Sequence, residues 1–145
     1  MFEAVAILQF LGGTFGVDQQ LWPALGTPER LTAHSWASWA YVEYGTPVSQ
    51  LYLATSDRAP AELKGQAWAE HARAATQTLL GILDGHLAKT GFIAGERYSL
   101  ADLTVAGVVL WSRFVGVATA DHTHLSKWLT ACAARPAIKQ EFGGM

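Results

Sequence analysis

The stretch GERYSLADL, residues 95–103, decides how the second half of this chain folds. It holds a serine, an aspartate and two opposite charges within a few positions, a mixture found both in catalytic sites and at helix starts. With Ser99 as N-cap, its hydroxyl can accept from the Asp102 N–H, and the Asp102 carboxylate can accept from the Ser99 N–H. Tyr98 and Leu103 flank this pair at the spacing of a hydrophobic staple. The pattern predicts a capped helix start and no catalytic serine.

Composition limits the class of protein. The chain has 145 residues, half of them apolar and 15% charged, with a net charge of −2, which favours one compact domain over residues 1–145. Its ten Lys and Arg residues are scattered, so we expect no nucleic-acid partner. Cys132 is the only cysteine, which excludes an intrachain disulfide and favours a reducing, cytoplasmic location. The apolar N-terminal stretch is too short to span a bilayer and lacks signal-peptide flanks, so we expect no membrane partner.

Helix punctuation dominates the first half, and the sequence has no alternating strand pattern. A short helix is expected over residues 2–11, ended by the glycine pair 12–13. Thr27 as N-cap and Pro28 at the first helical position predict a second helix that runs to about residue 56, with a kink near Pro47. One face of this helix is expected to carry Ala33, Ala37, Ala40, Tyr44, Val48 and Leu51.

The remaining helices follow the same signals. Ala59-Pro60 predicts the start of a third helix that ends before Gly91, with an apolar stripe of Trp68, Ala72, Ala75, Leu79, Ile82 and His86, widened by Leu83 and Leu87. A fourth helix over residues 100–118 is apolar nearly all round, which is typical of the centre of a bundle. A fifth helix is expected to carry Leu125, Trp128, Leu129 and Cys132 on one face, followed by a break at 135–136 and a final turn through residue 142. The prediction is an all-α bundle of five or six helices, with its core over residues 27–142.

Several segments resemble one known family. LLGILDGHLAKTGFIAGERYSLADLTVAGVVLW (79–111) and LSKWLTACAARPAI (125–138) resemble the C-terminal helical domain of cytosolic, bacterial-type glutathione S-transferases and the similar domain of elongation factor gamma subunits. Residues 21–52 resemble the family's long helix at the dimer interface and active-site cleft, and residues 3–11 resemble the helix at its domain junction. The resemblance implies a glutathione-transferase C-terminal-like fold without the thioredoxin-like domain, which in the family holds the catalytic Ser, Tyr or Cys.

The resemblance also implies a candidate glutathione contact at Glu3. Glu3 matches the family's acidic residue at the γ-glutamyl end of glutathione, where a carboxylate can pair with the ammonium group. The family's next residue is a serine that binds the γ-glutamyl carboxylate, and this chain has Ala4 instead. Glutathione is therefore the candidate cofactor, and a solvated Glu3 without a ligand is the alternative.

A candidate pocket for a small hydrophobic molecule follows from residues 34–44, which match the part of the family's long helix that lines the apolar-substrate site. Aromatic residues with polar tips suit pocket walls, although core packing and an interface explain them as well. Arg113 interrupts an apolar helix, and either a ligand or solvent can satisfy it. The candidate pocket residues are Trp36, Tyr41, Tyr44, Trp111 and Arg113.

Other reactive groups point to no further site. The five histidines lack zinc-ligand spacing, so we expect no metal site. Cys132 lies on an apolar stripe and is interpreted as a buried, inert thiol.

Three functions remain open. In the first, the domain supplies the apolar-substrate pocket of a glutathione transferase and needs a thioredoxin-like half for chemistry. In the second, it is a non-catalytic interaction domain. In the third, it is a binder or catalyst that acts independently of glutathione. Its exposed surface predicts a partner, either a second copy of the chain or a thioredoxin-like domain.

Overall fold

The structure is a computed structural model that describes residues 2–142, with the side chains of residues 2–140. Over these residues the regular secondary structure is entirely helical, and the only β-pairing is an isolated bridge between Phe92 and Gly95. If α2 and α3, which a wide helical turn joins, count as one, the described part has six helices, which confirms the predicted fold class. The segments are α1 (Ala4–Leu11), α2 (Pro28–Trp39), α3 (Gly45–Thr55), α4 (Gln66–Thr90), α5 (Leu100–Phe114), α6 (Thr123–Ala133) and α7 (Pro136–Phe142).

The sequence predicted that the glycine pair 12–13 ends the first helix. In the structure the helical path continues beyond this pair. The chain continues through a wide, π-helical turn over Gly12–Gly16, and Gly12 itself has ordinary helical angles. A Cβ at Gly12 would lie 2.7 Å from Cδ2 of Trp22. Gly12 is therefore needed because it lets the buried Trp22 ring pack against the backbone.

The long helix that begins at Pro28 follows the prediction closely. The Thr27 hydroxyl accepts from the Arg30 N–H at 3.2 Å, which is the expected N-cap. The irregularity lies one turn before the predicted kink, in a wide turn over Ala40–Tyr44 that joins α2 to α3. Pro47 is the third residue of α3, where a missing N–H costs little. All six residues predicted for the inner face are buried: Ala33, Ala37, Ala40, Tyr44, Val48 and Leu51.

The predicted start of α4 is wrong, and its inner face was predicted in part, since Ala72, Leu83 and Leu87 are buried as expected. The Ala59-Pro60 pair leads only into a short 3₁₀ turn over Ala61–Leu63, and α4 begins at Gln66. Trp68 and Ile82 are about half exposed. Thr76 takes an inner position because its hydroxyl donates to the Ala72 carbonyl at 2.7 Å, so a polar residue sits inside without an unpaired group. The buried face is Ala69, Ala72, Thr76, Leu80, Leu83 and Leu87.

Helix α5 begins at the predicted residue but ends at Phe114, four residues before the expected end. It packs against α1, α2, α6 and the wide turn over Ala40–Tyr44, which gives it the predicted central position. One of its faces is nevertheless open, and Phe114 is 86% exposed. Although α5 is apolar nearly all round, it is therefore not completely buried among the described residues.

The C-terminal helices complete the core. Residues Leu125, Trp128, Leu129 and Cys132 are all buried on one face of α6, as predicted. Asp84 of α4 accepts from the Leu125 N–H at 2.7 Å and so fixes the first turn of α6 to the long helix. The break before Pro136 is followed by the seven-residue helix α7. No helix within residues 2–142 combines the length and apolarity that a bilayer span requires.

Candidate functional site

Residues 95–103 form the start of α5, as predicted. Asp102 accepts from the Ser99 N–H at 2.7 Å, and the capping box is complete. The Ser99 hydroxyl accepts from the Ala101 N–H at 3.2 Å, one residue earlier than predicted, and donates to Asp102 at 3.0 Å. Both hydrogen bonds that Ser99 donates reach the same carboxylate oxygen, Oδ2 of Asp102.

Asp102 also joins two distant parts of the chain, which sequence reasoning missed. It accepts from the Ile93 N–H and from the Trp128 indole N–H, both at 2.8 Å. The carboxyl is completely buried, and burial raises its pKa against the opposing effect of its hydrogen-bond donors. With its oxygens occupied by structural donors, Asp102 is a buried anchor and has no free lone pair for chemistry.

Glu3 stands immediately before α1 in a strained conformation. Its backbone has φ 67° and ψ 111°, a region that non-glycine residues rarely occupy. The Glu3 side chain is exposed and lines a cavity of about 270 Å³ together with Gln9, Ser38 and Tyr41.

Tyr41 connects this cavity to a second one. The second cavity has a volume of about 290 Å³ and is lined by Tyr41, Gly45, Ser49, Gly107, Val108 and Trp111. Tyr41 and Trp111 are each about two-fifths exposed. We call the two adjoining cavities, from Glu3 through Tyr41 to Trp111, the Tyr41 groove.

The wide turn explains why Tyr41 faces outward. Ala40 and Tyr44 are both fully buried, whereas the three residues between them are exposed. A π-helical turn delays the return of the inner face by about one residue, which places a longer run of side chains outside. A Cβ at Gly45 would lie 3.1 Å from the Ala40 carbonyl oxygen, so a glycine suits the position directly after this turn.

Tyr44, predicted for the pocket, lies in the core. It is 0% exposed, and its hydroxyl forms a 2.6 Å hydrogen bond with that of Ser112. Its ring stacks on Trp39 with centroids 5.5 Å apart. Burial raises the pKa of Tyr44 to about 12. The prediction that Tyr44 lines a pocket beside Tyr41 is wrong, because Tyr44 lies on the buried face of the long helix, where the periodicity had also placed it.

Trp36 and Arg113 also lie away from the groove. Trp36 packs on Trp39 and on the His86 ring, with centroids 4.8 Å and 4.5 Å apart. Arg113 is exposed and lines a different cavity, of about 390 Å³, near Thr119 and Ser126. Of the five predicted pocket residues, the structure brings only Tyr41 and Trp111 together.

Sequence reasoning missed the residues that give the groove its space. Gly107 and Gly45 leave room between α5 and the long helix, and a Cβ at Gly107 would meet no atom within 4 Å. A glycine inside an apolar helix was the available signal, since it leaves a position on the helix surface without a side chain. Ser49 and Ser38 gave no signal, because isolated serines on a helix are common on solvated surfaces.

The remaining reactive groups are not arranged for chemistry. Burial raises the pKa of the Cys132 thiol to about 12, with Asp102 adding to the effect. Among the described residues, no three His, Cys, Asp or Glu side chains are grouped as metal ligands.

Comparison with known proteins places the fold in a family. Residues 40–136 match the family model "Glutathione S-transferase, C-terminal domain". Over 141 residues, which are 97% of this chain, the sequence is 24% identical to glutathione S-transferase GstB of Escherichia coli, and it spans 66% of that protein's length. It is also 31% identical over 77 residues to elongation factor 1-gamma-A of Xenopus laevis, covering 51% of this chain and 18% of that protein.

A solved structure agrees with these matches. The structure of a sphingomonad glutathione S-transferase complexed with glutathione superposes with a TM-score of 0.83 at 25% identity, covering 99% of this chain and 67% of that one. The family model covers well over half of the sequence, and the same all-helical arrangement is present in the solved relative. The chain belongs to the family of glutathione S-transferase C-terminal domains.

Proposed function

We propose that this chain supplies the helical half of a glutathione-transferase-type site, with an apolar co-substrate held in the Tyr41 groove. The observation that carries the proposal is that Tyr41 lines both cavities, one beside the Glu3 carboxylate and the other against Trp111. A charged end and an aromatic wall on one groove suit a reaction that joins the thiol of glutathione to an apolar electrophile.

The Glu3 end supports glutathione as the polar ligand. Its exposed carboxylate can pair with the ammonium of the γ-glutamyl end through charge-assisted hydrogen bonds. Ala4 offers no hydroxyl, so the backbone N–H groups at the start of α1 are the available donors for the γ-glutamyl carboxylate.

The buried phenol and thiol groups of this chain are unsuited to activating the glutathione thiol. A general base works best with a pKa near the operating pH. Tyr44, Tyr98 and Cys132 all have pKa values raised to about 12 by burial. We therefore assign thiol activation to a thioredoxin-like half and expect the described chain to bind without catalysing conjugation.

The proposal can be tested by titrating a neutral aryl halide into the chain and following backbone amide NMR shifts. Shifts should concentrate at residues 41, 49 and 107, and Trp111→Ala should weaken binding roughly tenfold, as expected for losing part of an aromatic wall. Trp68→Ala is the matched control, because Trp68 is a half-exposed tryptophan outside the groove. Equal effects of the two substitutions, or shifts away from the groove, would refute the assignment.

An interaction domain is the second candidate, favoured by the open apolar face of α5. Leu110, Trp111 and Phe114 are exposed by 44%, 39% and 86%. Patches of this kind mark association surfaces, and a second copy or a thioredoxin-like domain are the proposed partners. Sedimentation velocity should then detect a dimer that Phe114→Ser disrupts, while Leu25→Ser, at an equally exposed loop leucine, leaves it intact. A wild-type chain that is monomeric throughout argues against self-association through this face.

A further inference from the structure

Gly107 leaves a position on α5 without a side chain, although the fold does not require a glycine there. It lies inside the helix and is not one of the glycines with a positive φ. A Cβ at Gly107 would meet no atom within 4 Å, whereas a Cβ at Gly12 would lie 2.7 Å from the Trp22 ring. Backbone geometry and packing therefore permit a larger residue at position 107, and helix propensity favours one.

The missing side chain leaves space in the Tyr41 groove. Gly107 lies one helical turn before Trp111 on the same face of α5, and both residues line the cavity of about 290 Å³. The Trp111 ring packs beside Tyr52 of α3, with ring centroids 6.2 Å apart. A side chain at position 107 would therefore stand in the groove next to the Trp111 ring.

Gly107 also borders a second apolar space. It lines a cavity of about 430 Å³ on the neighbouring face of α5, together with Leu103, Ala106 and Leu110. Gly107 is the residue that the linings of this cavity and of the groove share. A ligand that is too large for the groove alone would therefore extend over Gly107 toward a hydrocarbon wall, where added apolar surface is favoured.

We propose that Gly107 determines the size of the co-substrate, so that the groove prefers neutral aryl halides with two fused rings to those with one. This inference rests on the proposed function, because it needs an apolar co-substrate in the Tyr41 groove. One ring lies beside Trp111, and the second occupies the space over Gly107. The second ring buries roughly 60 Å² of further apolar surface, which corresponds to about tenfold tighter binding.

Calorimetric titration of the chain with chlorobenzene and chloronaphthalene tests the proposal. The wild type should bind chloronaphthalene about tenfold more tightly than chlorobenzene. Gly107→Leu should remove this preference, because its side chain takes the place of the second ring, while the affinity for chlorobenzene changes by less than about twofold. Gly107→Ala should give an intermediate preference. An unchanged preference in Gly107→Leu, or an equal loss of affinity for both ligands, contradicts the size assignment.

Thermal unfolding and a matched glycine separate a blocked groove from a damaged fold. Both Gly107 variants should unfold at a higher temperature than the wild type, because alanine and leucine are better helix formers than glycine. Gly81→Leu in α4 is the control, since its Cβ also meets no atom within 4 Å and it lines neither cavity. It should leave both affinities unchanged.

The wild type distinguishes failure of this inference from failure of the proposed function. A wild-type chain that binds neither ligand refutes the proposed function, and the role of Gly107 with it. A wild-type chain that binds both ligands in the groove, with the same ratio of affinities as Gly107→Leu, refutes only the role of Gly107.

Discussion

At the scale of single residues, Asp102 joins three parts of the chain. Its carboxylate accepts from the Ser99 N–H, three positions before it, at the start of α5. It also accepts from the Ile93 N–H and the Trp128 indole N–H, nine and 26 positions away. One buried carboxylate therefore connects the loop before α5, the first turn of α5 and the buried face of α6.

Removing the Asp102 carboxylate should destabilise the fold strongly. Asp102→Ala leaves the buried N–H groups of Ile93, Ser99 and Trp128 without an acceptor, and each unpaired donor costs about 1–3 kcal/mol. We expect a loss of about 3 kcal/mol or more in the free energy of unfolding, measured by urea denaturation. Asp121→Ala, at an exposed aspartate, is the control and should change stability little. Equal effects would show that Asp102 is not the anchor described.

His34 should make stability depend on pH. Arg30 donates to His34 Nε2 at 3.3 Å, so the ring accepts there and must be neutral. Burial, and then the Arg30 charge, lower the pKa of His34 below 6.5. The unfolded state therefore binds the proton more tightly, and the His34 contribution is complete above pH 6.5 and declines as pH falls below that value.

Denaturation midpoints measured between pH 7.5 and about pH 5 test this sign. The wild type should lose more stability on acidification than His34→Gln, in which an amide oxygen can still accept from Arg30. His124→Gln, at an exposed histidine, should behave like the wild type. A steeper decline in His34→Gln than in the wild type would reverse the proposed linkage.

At the scale of elements, helix starts were more predictable than helix faces. The caps at Thr27 and Ser99 depend on one side chain and the next few N–H groups, and both helices begin where expected. The inner face of α4 was predicted only in part, because Thr76 is buried and Trp68 is half exposed, the reverse of what hydrophobicity favours. Periodicity placed Tyr44 on the inner face, whereas the family resemblance placed it in the pocket. The wide turn before α3 has no sequence signature that periodicity detects, so the candidate pocket was only partly predicted.

Two glycine substitutions separate packing from helix propensity. Gly12→Ala should destabilise the chain by about 1–3 kcal/mol, because its Cβ would meet the Trp22 ring at 2.7 Å. Gly85→Ala, inside α4 with nothing within 4 Å of the new Cβ, should stabilise it by about 0.5–1 kcal/mol. Thermal unfolding of both variants measures the contrast. A neutral Gly12→Ala would mean that the Trp22 contact is looser than described.

At the scale of the whole molecule, the helical bundle builds one wall of a site and leaves apolar surface open beside it. The Tyr41 groove offers a carboxylate and two aromatic rings, while burial keeps the tyrosine and cysteine groups of the core protonated near neutral pH. We propose a binding role for the Tyr41 groove, with thiol activation supplied by a thioredoxin-like half.

The most direct test is a conjugation assay with this chain alone, glutathione and an aryl halide, run beside a glutathione titration. The account predicts a rate equal to the uncatalysed reaction, weak glutathione binding that Glu3→Ala reduces further, and aryl halide binding that survives in the same variant. Clear turnover by the isolated chain that Glu3→Ala abolishes would contradict it, because thiol activation would then reside within these helices.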